Sequence, residues 1–318
     1  SAQARASMLM QSTLIVIQQI LIVFILIGVG FLAAKFGILG EEGARQITDF
    51  LLIIVIPCVI IMAFQTSFEP SLLKNILIAA LISALTHAVG ILISQLMFRK
   101  DPSAQKNIFI YSIVFYNTGF FSLPLLRALL GEIGVLYGSV IVAVFNLFAW
   151  TYGIRLMNGE NGALKWKTLL NPGIVSLLLA LILVLLKIRL PELVLTTLKY
   201  LTNLHTPLAM IVIGCQFYLF RNSFKLREPA LWKTVFARNI LVPLVMLGLV
   251  YFLAQDKTLF FTGVITASAP TAINTILFAT RYKQDVNTAV QTVILTTLLM
   301  LVTIPLMMAL AMLLKGSL

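Results

Sequence analysis

Long apolar runs, separated by short breaks rich in charge, Gly or Pro, follow one another along the whole chain. A helix needs about 20 apolar residues to cross the hydrocarbon core of a bilayer. Unpaired backbone groups find no partner in lipid, and the runs are too evenly apolar for barrel strands, so all are predicted as helices. The ten predicted spans are 14–34, 44–64, 75–98, 107–130, 133–157, 172–186, 193–217, 231–253, 259–280 and 286–314.

Composition supports one integral membrane domain. Only 11% of the 318 residues are charged, whereas soluble proteins carry about 25%. No polar segment is long enough to bury a core of its own. The net charge is +12, and the basic residues lie between the apolar runs. They are therefore interpreted as setting orientation in the bilayer rather than as forming a nucleic-acid surface.

The distribution of Lys and Arg predicts the orientation. One set of breaks holds fourteen of these residues and the alternate set holds six. The positive-inside rule places the richer set in the cytoplasm. With an even number of spans, both termini are then predicted on the extracytoplasmic side of the inner (plasma) membrane.

A weak internal repeat is visible in the order of breaks. Residues 8–157 would form the first half with helices 1–5, a cytoplasmic loop at 158–171 would connect it, and residues 172–318 would form helices 6–10. In each half a proline, Pro57 or Pro207, follows a basic helix end, and the fourth helix is interrupted. Because five is odd, the second half enters from the opposite side, so the pattern predicts an inverted repeat whose broken helices 4 and 9 cross.

The two breaks concentrate the chemistry. A break inside the membrane frees backbone N–H and C=O groups, and the positive ends of half-helices suit a carboxylate. An ordinary proline kink explains either break alone, but two at matching positions favour a binding site. Two prolines at the breaks, Pro124 and Pro270, would hold them open. The predicted substrate-binding residues are Asn117, Thr118, Gly119, Thr271, Asn274 and Thr275.

Four further polar residues inside apolar runs are candidates for substrate binding or coupling. His87 could titrate, or bond between helices as a neutral ring. Arg238, beside Asn239, could serve an anion, or snorkel to the cytoplasmic surface. Asp49 follows Arg45 by four residues, which favours a local ion pair, with coupling by protonation as the alternative.

Several function classes lack their motifs. The sequence contains no P-loop, no HExxH, no GxSxG and no TVGYG filter string, so ATP-driven transport, a protease or esterase, and a potassium channel are not indicated. Cys58 and Cys215 have no metal or redox spacing and are expected to be core residues. No enzyme activity, metal or cofactor is therefore expected.

Three short motifs stand out: the run 117–120 (Asn-Thr-Gly-Phe) with Pro124, Ala269-Pro270 leading to the run 278–282 (Phe-Ala-Thr-Arg-Tyr), and the run 301–306 (Leu-Val-Thr-Ile-Pro-Leu). They resemble motifs of the auxin efflux carrier (PIN-like) family in its bacterial form. The resemblance implies a scaffold of helices 1, 2, 6 and 7 and a mobile transport domain of helices 3–5 and 8–10. It also implies elevator-type motion, a homodimer and organic anion substrates.

The chain departs from plant members of that family at the crossing, where Tyr116 and Asn274 stand at positions that hold prolines. The expected function is therefore a secondary transporter for a small organic anion, with dicarboxylates or other small carboxylates favoured over auxin, and with a proton or sodium as possible coupling ion. One alternative is a sodium-coupled symporter of the bile-acid type. Another is a membrane sensor that binds a ligand without transporting it.

Overall fold

The computed structural model describes residues 2–67, 69–158, 172–222 and 228–316. Within these ranges every regular element is a helix, and strand-like pairing is limited to one isolated bridge. Residues 159–171 of the predicted connecting loop lie outside the described residues. The α-helices are α1 (Ala2–Lys35), α2 (Glu41–Phe50), α3 (Ile56–Ser67), α4 (Leu73–Phe98), α5 (Lys106–Val114), α6 (Leu123–Phe148), α7 (Ile154–Asn158), α8 (Pro172–Leu185), α9 (Glu192–Asn203), α10 (His205–Leu219), α11 (Pro229–Phe236), α12 (Val242–Leu253), α13 (Lys257–Ala267), α14 (Asn274–Arg281) and α15 (Val286–Lys315).

Five helical segments of the described chain are long and apolar enough to cross a membrane, and three shorter helices are also apolar. The long segments are Glu41–Gln65, Leu73–Phe98, Thr118–Asn158, Pro229–Leu253 and Val286–Lys315. Large apolar side chains are exposed along them, such as Leu77, Leu92 and Leu96 of α4. An outward apolar surface suits lipid rather than water. The chain is an all-helical integral membrane protein, as predicted; the count of ten crossings and the repeat stay predictions.

Three helices widen into a π-helical turn just before a proline. A proline has no N–H to donate, and its ring clashes with the carbonyl one turn earlier. A wider turn at that place gives the ring room, so the helix continues past the proline. The turns are Leu51–Val55, Thr118–Ser122 and Ala237–Leu241, and they end two residues before Pro57, Pro124 and Pro243 respectively.

Gly131 interrupts α6 between the fourth and fifth predicted spans. Its φ is 67° and its ψ is −158°, inside an otherwise helical stretch. Glycine tolerates this positive φ because it has no Cβ. The chain therefore turns within residues 130–133, where the sequence predicts that one span ends and the next begins.

Helices α1 and α10 pack closely through two glycines. A Cβ at Gly30 would lie 2.1 Å from the carbonyl oxygen of Ile211, and a Cβ at Gly214 would lie 1.8 Å from that of Ile27. Both separations are far inside van der Waals contact, so larger residues at these positions are excluded without a shift of backbone. Small residues at a close crossing are a common device for packing membrane helices.

The helices contact one another in two groups. In the first group α1 and α2 pack on α10, and α3 packs on α8 and α9. In the second, α4 packs on α5, α6 and α12, while α13 and α14 pack on α15. The groups meet where α3 and α8 contact α6 and where α1 contacts α15.

Candidate functional site

The two interrupted helices meet at their breaks. One break lies between α5 and the π turn that leads into α6, and the other lies between α13 and α14. Asn117 donates its backbone N–H to the carbonyl of Pro270 at 2.8 Å, and Ala272 donates its N–H to the carbonyl of Phe115 at 2.9 Å. Each break therefore supplies hydrogen-bond partners for backbone groups that the other break has freed.

Asn117 shapes the start of the half-helix that follows the first break. Its backbone leaves the helical region, with φ −79° and ψ 70°. Its Oδ1 accepts the N–H groups of Phe120 at 3.1 Å and Phe121 at 3.2 Å, which makes Asn117 the N-cap. The Nδ2 group has no hydrogen-bond partner in the described part of the chain and remains able to donate to a ligand.

The second break is held by neighbouring helices. Thr271 donates its backbone N–H to the hydroxyl of Thr296 on α15 at 3.1 Å. Its own hydroxyl donates to the carbonyl of Ser112 on α5 at 2.9 Å, and the Ser112 hydroxyl donates to that of Thr292 at 2.9 Å. Thr271 thus ties the second break to α5 through its side chain and to α15 through its backbone.

A cavity of about 570 Å³ reaches the crossing. Volumes of this size suit small-molecule ligands. Both helix groups contribute to its wall, which is mostly apolar and aromatic with amides at the crossing. Its lining comprises Arg45, Asp49, Leu52, Ile53, Ile56, Tyr116, Asn117, Thr118, Gly119, Phe120, Val142, Phe145, Asn146, Trp150, Pro172, Gly173, Ala272, Ile273, Asn274, Leu277, Phe278, Thr280 and Arg281.

Three exposed charged residues, Arg45, Asp49 and Arg281, mark the open end of the cavity. The expected ion pair between Arg45 and Asp49 is not formed, because Arg45 bonds Glu42 through two contacts of 2.9 and 2.7 Å. Glu42 is one turn earlier on the same helix and competes for the same guanidinium. The Asp49 carboxylate therefore stays at the rim, outside any ion pair in the described residues.

His87 lies behind the crossing rather than in the cavity wall. It is fully buried, its ring stacks on Phe148 with centroids 4.5 Å apart, and its centroid is 5.1 Å from that of Tyr116. Its Nδ1 is 2.7 Å from the carbonyl oxygen of Ser83, whose hydroxyl is 3.3 Å from that of Tyr116. The bonded histidine thus supports Tyr116 from one side.

Arg238 is turned inward and does not snorkel. It is fully buried, and its guanidinium donates to the carbonyl of Ile113 at 2.9 Å and to the carbonyl of Ala267. Neighbouring Asn239 donates Nδ2 to the carbonyl of Thr296 at 2.9 Å. Both residues therefore lie beside the crossing, away from the lining of the cavity.

The structure brings five of the predicted residues into the cavity wall: Asn117, Thr118, Gly119, Asn274 and Asp49. The other seven lie outside this wall: Thr271, Thr275, Pro124, Pro270, His87, Arg238 and Asn239. Sequence reasoning did not single out Arg45 and Arg281 as lining residues. The sequence places both in basic breaks that predict orientation, with Arg45 also expected to pair with Asp49 and Arg281 within the motif at 278–282.

A helical membrane protein whose broken helices pair beside a ligand-sized cavity has the architecture of a membrane transport protein. Comparison with known families agrees. The model of the membrane transport protein family, the PIN-like auxin efflux carrier family, matches residues 15–166 and 161–308, and the chain belongs to this family. The chain is therefore a multi-pass membrane transporter.

Two archaeal proteins are similar over nearly their whole length. An uncharacterized transporter of Methanocaldococcus jannaschii is 26% identical over 304 residues, which cover 90% of this chain and 96% of that protein. An uncharacterized transporter of Methanothermobacter thermautotrophicus is 25% identical over 296 residues, which cover 91% of this chain and 96% of that protein.

Proposed function

We propose that this transporter carries a small organic anion, a carboxylate, and binds it where the cavity meets the crossing. The observation that carries the proposal is the cavity itself, which runs from two exposed arginines to the amides and half-helix ends at the breaks. Arg281 would draw anions to the opening by its field, whereas the charge of Arg45 is paired with Glu42. The apolar and aromatic wall between would accept the organic part of the substrate.

The chemistry at the inner end suits a carboxylate. The π turn that begins at Thr118 and the helix that begins at Asn274 both start in the cavity wall. Helix starts carry partial positive charge, which favours a carboxylate. The amides of Asn117 and Asn274 add donors, and Gly119 lets a ligand approach the backbone closely. Thr271 and Thr275 would hold the second break in shape behind this site.

Alternating access would follow from the two helix groups. We propose that α1–α3 and α8–α10 form the scaffold and that α4–α7 and α11–α15 form the transport domain. The cavity wall is shared, with Ile56 and Pro172 on the scaffold side and Phe120 and Asn274 on the other. An elevator-type shift of one group along the other would expose the same site on the opposite side.

The proposed orientation follows the basic breaks. Arg45 and Arg281 both belong to the Lys- and Arg-rich set, so the cavity would open to the cytoplasm, with both termini outside the inner (plasma) membrane. Assembly as a homodimer through the scaffold is proposed from the family resemblance. The tight α1–α10 contact would give that scaffold a rigid centre.

A thermal-shift panel on the purified protein tests the substrate class. The probes are acetate, lactate, succinate, malate and indole-3-acetate, each compared with an uncharged amide and an amine of similar size. We expect at least one carboxylate, and neither neutral nor cationic analogues, to raise the melting temperature, because a ligand that binds only the folded state stabilises it. The carboxylate that gives the shift is then followed as counterflow in proteoliposomes.

Matched variants localise the binding. Asn274→Ala should lose the carboxylate shift, because Asn274 starts α14 inside the cavity wall. Asn287→Ala, an exposed asparagine in the first turn of α15, should keep it. A shift caused by amines instead of carboxylates would reject the anion proposal, and a carboxylate shift without counterflow would favour a sensor over a carrier.

A further inference from the structure

Arg238 lies where the first halves of both broken helices end. Helix α5 ends at Val114 and α13 ends at Ala267. One guanidinium nitrogen of Arg238 donates to the carbonyl of Ile113, in the last turn of α5, and another donates to the carbonyl of Ala267, the last residue of α13. A single side chain thus bridges two helix ends that belong to different parts of the chain.

Such helix ends attract cations. The last carbonyls of a helix lack intrahelical partners and carry partial negative charge. In carriers with broken helices, half-helix C-terminal ends and unwound carbonyls are the groups that coordinate a coupled sodium ion or proton. Two such ends converge here on one point, and the group found at that point is a positively charged side chain.

The charge of Arg238 is not neutralised by a carboxylate. In the described part of the chain, ion pairs join Arg45 with Glu42 and Arg127 with Glu132, and neither involves Arg238. The Nε of Arg238 has no hydrogen-bond partner there, and the guanidinium carbon is 5.3 Å from the ring centroid of Tyr116. The helix-end carbonyls and an aromatic face are thus its electrostatic partners.

We infer that Arg238 is a built-in cation, fixed at the place where the two half-helix ends would otherwise hold a mobile one. A side chain cannot leave, so this cation travels with the crossing instead of being exchanged with the solution. Arg238 is a positioning residue, because it contacts the backbone of both breaks but not the cavity.

A consequence for coupling rests on the proposed function. If the substrate is an anion, the fixed positive charge beside the crossing compensates the negative charge of the substrate, as a co-transported sodium ion does in other carriers. The transporter would then bind its anion equally well in sodium and in choline salts. A sodium symporter of the bile-acid type would require the site between the ends of α5 and α13 to be free for an ion.

The test measures cation binding in the absence of any substrate, so it is independent of the proposed function. Arg238→Gln removes the charge and leaves a shorter polar side chain, with space for a small cation between the two helix ends. We expect this variant to melt lower than the wild type and to regain stability in millimolar methylguanidinium or sodium, but not in choline at equal ionic strength. Binding of radioactive sodium should be detectable for Arg238→Gln and absent for the wild type.

Two variants make the result specific. Arg238→Lys keeps a cation in the seat and should show no response to added methylguanidinium or sodium. Asn239→Ala removes a buried polar group at the adjacent position without opening a cation seat, so it should melt lower without rescue. If Arg238→Gln binds no sodium and shows no rescue, or if Asn239→Ala is rescued equally, the inference is overturned.

Discussion

The two breaks are held in place by different means. The first supplies its own cap, because Asn117 turns its side chain onto the N–H groups of the half-helix that it precedes. The second has no side-chain cap before Asn274. Its Thr271 is held instead by Thr296 on α15 and Ser112 on α5.

This difference separates the part of the crossing that is held by hydrogen bonds within its own turn from the part that depends on the packing of other helices. A cap formed between residues three and four apart belongs to the chain's own turn and forms with it. Hydrogen bonds to other helices form only when those helices are packed in place. We therefore expect the second break to respond to changes far from it in sequence, and the first to respond chiefly to changes in its own residues.

The largest effect is expected from Thr296→Val. The substitution keeps the shape of the side chain but removes the oxygen that accepts the buried N–H of Thr271. An unsatisfied buried donor costs about 1–3 kcal/mol. The free energy of unfolding in detergent, measured by denaturant titration or from the melting temperature, should fall by that amount.

Thr297→Val is the matched control for that prediction. Thr297 is the next residue on α15 and is equally buried, but its hydroxyl donates only to the carbonyl of Val293 in its own helix. It should change stability much less than Thr296→Val. Equal losses from the two variants would mean that the second break does not depend on α15 for its support.

A smaller effect is expected from Asn117→Ala, which removes the cap of the first break. Loss of an N-cap costs about 1 kcal/mol. Asn117→Asp keeps an acceptor for Phe120 and Phe121, so its melting temperature should stay close to that of the wild type. The new negative charge and the lost amide donor should still abolish the carboxylate-induced shift. If Asn117→Asp retained that shift, Asn117 would be a cap and nothing more.

The smallest expected effect is a pH dependence of stability. It arises at the N-terminal end of α15, outside the membrane-spanning part. Partial burial raises the pKa of Asp285, but hydrogen bonds from Thr288, Gln105 and Asn287 outweigh it and hold this pKa below the usual 3.8. A carboxylate with a lowered pKa contributes stability above its unfolded pKa, and this contribution is lost as pH falls through the folded value.

That pH effect can be measured by comparing the wild type with Asp285→Asn. The melting temperature of the wild type should exceed that of the variant at neutral pH, and the gap should narrow as the pH is lowered below the usual Asp value. Asp285 caps α15, the helix that carries Thr296. The stability lost at low pH therefore also tests whether α15 transmits a small change to the second break. A gap that is independent of pH would contradict the assignment.

Much of the architecture could be predicted from the apolar runs and from the charged, Gly- or Pro-rich breaks between them. The span predicted at 286–314 is found as α15, Val286–Lys315, and the span at 75–98 as α4, Leu73–Phe98. Lipid leaves helices as the only local solution, so run length translates directly into structure. Finer points needed three dimensions. Whether Arg45 would pair with Glu42 or Asp49 depended on competing turns of one helix face.

The chain alone therefore determined that it is helical, that it lies in the membrane, and that two of its helices break. These properties follow from hydrophobicity and from residues at the breaks such as Pro270, whose missing N–H disfavours a continued helix. The tertiary structure decided how the breaks are used. It paired Asn117 with Pro270, and it turned Arg238 away from the surface and onto the ends of α5 and α13. These contacts depend on which unsatisfied carbonyls come within hydrogen-bond distance when separate helices pack. That distance cannot be obtained from the spacing of residues along the sequence.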